Sequence, residues 1–134
     1  MNLIKTCTLV GLLLAATAAW ATQPSTSEVV KVPKATGANA YTVAEVVTKA
    51  VELKDKPVRV SGKVVKYNAA IMGKNWLHLQ DGTGSASDND ILVTSTVAAK
   101  LGDIVTVSGI VRNDRDFGAG YFYKVLIEDS AGKP

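Results

Sequence analysis

From Pro57 onward apolar residues recur at every second position, whereas upstream of it they recur every third or fourth, so the chain reads as a helix followed by strands. Thr42 stands three residues before Glu45, the capping-box spacing in which each side chain satisfies a backbone amide of the other. Tyr41 is placed to staple onto Val46. Val43, Val46, Val47, Ala50 and Val51 follow at helical spacing, which predicts an amphipathic helix from Thr42 to near Leu53, stopped by Lys54-Asp55-Lys56-Pro57.

In the first predicted strand Val58, Val60 and Val64 share one face with Gly62, where a bulge is expected, and Arg59, Ser61 and Lys63 share the other. A loop is expected around Asn68 to Gly73. The second strand, 75–81, sets Leu77 and Leu79 toward a core and Trp76, His78 and Gln80 toward the opposite side. A polar loop, Gly82 to Asp90, leads to a short third strand, Ile91 to Thr94. Thr96 to Leu101 fits one helical turn stopped by Gly102. Val105, Val107 and Val111 mark the fourth strand, and Tyr121, Tyr123, Val125 and Ile127 the fifth, with both tyrosines read as core. Asn113 to Gly120 is the hairpin loop between them. Five strands, glycines in the long first and fourth, and a turn after the third predict a mainly β protein, a small Greek-key barrel behind an N-terminal amphipathic helix.

The start of the chain reads differently. Lys5 precedes the apolar run Leu9 to Ala16, and Ala19-Trp20-Ala21 offers small residues at the positions a signal peptidase reads, so 1–21 is expected to be a signal peptide cut after Ala21. The product is expected in the periplasm or outside the cell. Residues 22–40, rich in Gln, Pro, Ser, Thr, Gly and Ala, read as a flexible segment, with Val29 to Val32 as a candidate edge strand. One domain, 41–130, and a tail, 131–134, complete the reading. The sole cysteine, Cys7, leaves with the leader, which removes disulfides, thiolate metal sites and cysteine nucleophiles from the mature chain.

Charge adds polarity to this picture. Loss of Lys5 leaves 14 basic and 12 acidic residues, a net +2, yet Lys54, Lys56, Arg59, Lys63, Lys66 and Lys74 face only Asp55 between 54 and 74, while acids dominate 81–129.

Catalysis finds little support: His78 is the only histidine, no Gly-x-Ser-x-Gly elbow or phosphate loop occurs, and Gly82-x-Gly84 and Gly118-x-Gly120 lack the third glycine of a dinucleotide fingerprint. Asp114-x-Asp116-x-Gly118 opens like a calcium loop, but Ala119 and Val125 stand where glycine and the bidentate acid belong. No enzyme, cofactor or metal is expected.

Val58-Arg59-Val60-Ser61-Gly62-Lys63-Val64, Trp76 to Gly84, and Gly102 to Val111 carry a resemblance to OB-fold proteins over roughly 42–129. The chain looks most like exported bacterial nucleic-acid-binding OB domains of the anticodon-binding type. Thr42-Val43-Ala44-Glu45 and Asp81-Gly82-Thr83-Gly84 also resemble the small periplasmic bacterial OB-fold family. The resemblance implies a ligand on the face of the second and third strands: Trp76, His78 and Gln80 on that surface, Lys66 and Lys74 beside the first loop, Arg115 and Phe117 in the last. Trp76 or Phe117 would stack on a base of single-stranded DNA, RNA or a nucleotide, with the cations on phosphate. Trp76 has a second reading as packing beneath the helix or leader. The alternative function is a periplasmic accessory or stress-related protein holding a small charged ligand or a protein partner on the same face.

Overall fold

A computed structural model describes residues 30–129. The expected leader, residues 22–29 and the tail lie outside them. The elements are α1 (Val43–Thr48), α2 (Ala50–Leu53), β1 (Pro57–Ile71), β2 (Lys74–Gln80), β3 (Ile91–Ser95), β4 (Ile104–Asp116) and β5 (Phe122–Asp129). The five strands form one sheet that closes on itself in the order β1-β2-β3-β5-β4. Only β3 and β5 run parallel; the other neighbours are antiparallel.

Closure follows from the alternation. Val58, Val60, Val64, Leu77, Leu79, Ile91, Val93, Val107, Val111 and Ile127 all turn inward into one core. One inward position must be glycine-sized: at Gly109 an added Cβ would fall 2.2 Å from the Glu128 carbonyl oxygen, so β4 and β5 approach closely there. The register shift expected at Gly62 lies instead between Val64 and Lys66. This extra residue has a functional consequence, because it sets Lys66 rather than Val65 opposite His78 on the outer face.

The two helices close one end of the ring, adding Val43, Val46 and Leu53 to the core. In place of one helix to Leu53, the chain breaks at Lys49, and Val51, expected on the apolar stripe, is 88% exposed. The start of α1 is held from two sides. Thr42 accepts from the Glu45 amide at 3.1 Å, and the buried Asp81 accepts from the Val43 amide at 2.9 Å, with Thr83 taking the Ala44 amide at 3.1 Å. The Glu45 carboxylate turns to Lys34. Asp81-Gly82-Thr83 is thus a docking turn for the helix, satisfying amides that no helical partner can reach. Gly82, at φ +88°, packs so closely on Val30 that a Cβ would meet its carbonyl oxygen at 2.2 Å. Residues 30–40 therefore follow the ring at defined points: Val32 donates to the Asp81 carbonyl, and Arg59 bonds both Asn39 and Tyr41 through its backbone.

Two local expectations are corrected. Thr96 to Leu101 forms no helical turn; Asp103 accepts from the Lys100 amide and Gly102 bonds back to Val64, so contacts with β1 replace local helical bonds. The expected loop at Asn68 to Gly73 is mostly strand, because Met72 and Gly73 both take positive φ and close a two-residue hairpin turn.

Candidate binding cleft between two hairpins

β2 carries Trp76, His78 and Gln80 on the outside of the ring, each in a different setting. Trp76 is 6% exposed. Its indole Nε1 donates to the Ile71 carbonyl at 2.9 Å, tying the strand to its own hairpin tip. Phe117 meets the ring edge-on, with centroids 4.8 Å apart and planes at 73°, and Tyr123 lies tilted at 6.0 Å. Leu92 and Leu126 complete this second, outer cluster. The β4–β5 hairpin supplies the cover. Its strands continue past the ring to the Asp116–Phe122 pair, and the turn is closed by the Phe117 amide to the Tyr121 carbonyl at 2.8 Å. Asp116 accepts from the Gly118 amide at 2.8 Å, a turn-forming role for an acid of the calcium-like sequence. Among the described residues no group of three or more His, Cys, Asp or Glu side chains could hold a metal.

His78 and Gln80 share one partner, Asp90 at the entry to β3. The carboxylate lies 2.6 Å from His78 Nδ1 and 3.3 Å from Gln80 Nε2. The pair fixes the imidazole's orientation, leaving Nε2 as the ring's other hydrogen-bonding atom.

The cations divide into two groups. Glu128 on β5 accepts from Arg112 at 2.6 Å and lies 3.5 Å from Lys74 and 3.7 Å from Arg115; Arg112 also reaches Asp55 at 2.8 Å. The hydrogen bond from Arg112 holds the Glu128 carboxyl below its ordinary range against the opposing effect of burial, and the charge of Lys74 adds to the lowering. The same hydrogen bond, then the one to Asp55, holds the Arg112 guanidinium above its ordinary value. Charges segregated along the sequence are therefore interleaved in space. Lys66 has no ion-pair partner among the described residues.

Between the β1–β2 and β4–β5 hairpins lies a cleft of about 320 Å³. Ile71, Met72, Trp76, Tyr121 and Tyr123 form its apolar walls, and Lys66, Asn68 and His78 its polar end. Its rim is open: Met72 is 59% and Tyr121 57% exposed, with Ile71 and Phe122 exposed beside them. The structure thus brings Lys66, Trp76 and His78 to one cleft, with Phe117 packed behind Trp76, and leaves Gln80, Lys74 and Arg115 outside its lining. Tyr121, read as core, is instead a rim residue, and Tyr123 packs in the outer cluster, because the hairpin has left the ring at this point. Met72 and Ile71 were not singled out by sequence; the signal available was Met72-Gly73 standing between two alternating runs.

No family model and no curated protein matches the sequence. Among solved structures, an OBody bound to hen egg-white lysozyme aligns over 59% of this chain and 79% of its own, at 18% identity and a TM-score of 0.45. Among the described residues no helix is long and apolar enough to cross a membrane.

Proposed function

We propose that this protein is an exported, non-enzymatic binding module on an OB-type Greek-key barrel, taking single-stranded nucleic acid or a nucleotide on the outer side of β2 between its two hairpins. The observation that carries the reading is the open cleft itself, walled by aromatic and thioether side chains, with a lysine at one end that has no ion-pair partner among the described residues. Such a surface offers stacking area and one phosphate contact together. Export rests on the leader pattern at 1–21. The non-enzymatic part of the reading rests on the sequence, in which His78 is the sole histidine and no nucleophile elbow or phosphate loop occurs.

One observation favours a second reading. Lys74 and Arg115 are drawn to Glu128, and Ile71, Met72, Tyr121 and Phe122 are exposed together, a surface suited to a protein partner or a small charged ligand.

The two readings separate on salt. Trp76 is the sole tryptophan after residue 21, so its fluorescence reports the cleft directly. Titration with short single-stranded DNA and RNA is expected to give saturable quenching whose log affinity falls with log salt, by roughly 0.7 per phosphate neutralised. Absence of binding at low salt by a folded domain sinks the nucleic-acid reading and leaves the partner reading.

A further inference from the structure

We propose that the stacking element of this cleft is Tyr121, faced by Met72 from the other hairpin, and that the site takes a single planar aromatic group bearing one phosphate, a nucleotide unit, with Lys66 on that phosphate. The inference rests on the nucleotide-binding reading above and assigns its contacts to residues other than the tryptophan.

Trp76 is poorly placed to stack. It lines the cleft but is only 6% exposed, Phe117 and Tyr123 lie against it, and its Nε1 is held by the Ile71 carbonyl, so it offers a base little open ring surface. Tyr121 is the reverse case: its side chain lines the cleft and is 57% exposed, while its backbone amide and carbonyl hold the turn through Gly118 and Phe117. The ring is therefore carried on a fixed backbone without being committed to packing. Met72 stands on a two-residue turn of positive φ, lines the same cleft and is 59% exposed. A polarisable thioether and a phenol ring from separate hairpins suit the two faces of a planar π system.

Charge and size select the group. Among the described residues Lys66 is the only lysine or arginine lining the cleft, no carboxylate lines it, and Lys66 has no ion-pair partner. The other nearby cations are shared with Glu128. That complement fits a single phosphate group better than a run of phosphates. A volume of about 320 Å³ stands at the low end of small-molecule sites, which span roughly 300–1,000 Å³, and admits one such unit. His78, oriented by Asp90, presents Nε2 as a polar contact for the edge of the ring.

The test follows Trp76 fluorescence of the full mature chain titrated with adenosine 5′-monophosphate, adenosine and a single-stranded oligodeoxynucleotide, for wild type, Tyr121→Ala, Met72→Ala and Lys66→Gln. Tyr121→Ala is expected to raise Kd roughly 5- to 150-fold, the range for loss of one base–aromatic stack, with the melting temperature unchanged. Met72→Ala should weaken adenosine and its monophosphate alike. Lys66→Gln should bring the monophosphate down to the level of adenosine and leave adenosine unaffected. Oligonucleotide binding lost in Tyr121→Ala, with the free nucleotide silent, supports the same contacts with a strand as the source. Wild-type binding that Tyr121→Ala and Lys66→Gln both leave unchanged overturns this assignment while the nucleic-acid reading stands. A folded wild type that binds none of the three ligands overturns both.

Discussion

The two sides of β2 solve different problems with adjacent residues. On the inside, Leu77 and Leu79 join aliphatic side chains from all five strands in a core that is closed on every side. On the outside, Trp76 joins Leu92 and Leu126, under cover of Phe117 and Tyr123, and Trp76 and Tyr123 also wall the open cleft. The inner face is mainly aliphatic, with the buried Ser95 hydroxyl bonded to Asp129 at its margin, whereas the outer cluster uses rings with polar handles, such as the indole N–H held by Ile71. A closed aliphatic core maximises buried area and leaves nothing for a ligand. An aromatic cluster at the edge of a hairpin retains partly exposed rings, and these are what a binding surface requires.

If the inner face carries the stability, Leu79→Ala should have the largest effect. Leu79 is fully buried, so truncation is expected to cost about 2–5 kcal/mol, read as a lowered urea midpoint. A loss below about 1 kcal/mol would break the contrast between the faces. Phe117→Ala sharpens it. Removing the edge-on ring is expected to cost about 0.5–1.5 kcal/mol, with Trp76 emission shifting to the red as the indole is uncovered. A shift absent in that variant would show that the hairpin is not what shields the tryptophan.

The smallest effect concerns the ion-pair cluster behind the cleft. Glu128 has a folded-state pKa below its unfolded value, so its stabilising contribution is complete above the unfolded value and is lost as pH falls through the folded one. Wild type should lose its advantage over Glu128→Gln from about pH 5 downward, by no more than about 1 kcal/mol for so solvent-accessible a group. Denaturation curves at several pH values check this; a difference independent of pH would mean that Glu128 acts through packing rather than charge.

Much of the local structure was legible in residues 41–129. The N-cap at Thr42, the alternation placing Leu77 and Leu79 inward, and the turn chemistry at Asp81-Gly82 are written in short-range pattern, since period and capping are properties of neighbouring residues. The expectation of a mainly β chain with five strands agrees with the closed sheet. The pairing of Asp81 and Thr83 with the helix start was not legible, although both motifs stood out separately, because nothing in either names its partner 38 residues away.

The cleft itself belongs to the tertiary structure. Sequence singled out Trp76 as a conspicuous aromatic on an outward face and read Tyr121 as core. Alternation tells which residues leave the strand on the same side, and nothing about which distant hairpin folds over that side. The long β4–β5 extension buries Trp76 and leaves Tyr121 at the rim, while one bulged residue in β1 turns Lys66 toward His78. Sequence by itself determined the strands, their faces and the helix cap, which depend on local geometry. Only the closed sheet decided which side chains are covered and which cations are drawn to Glu128, since burial and charge pairing depend on neighbours that the chain brings together only on folding.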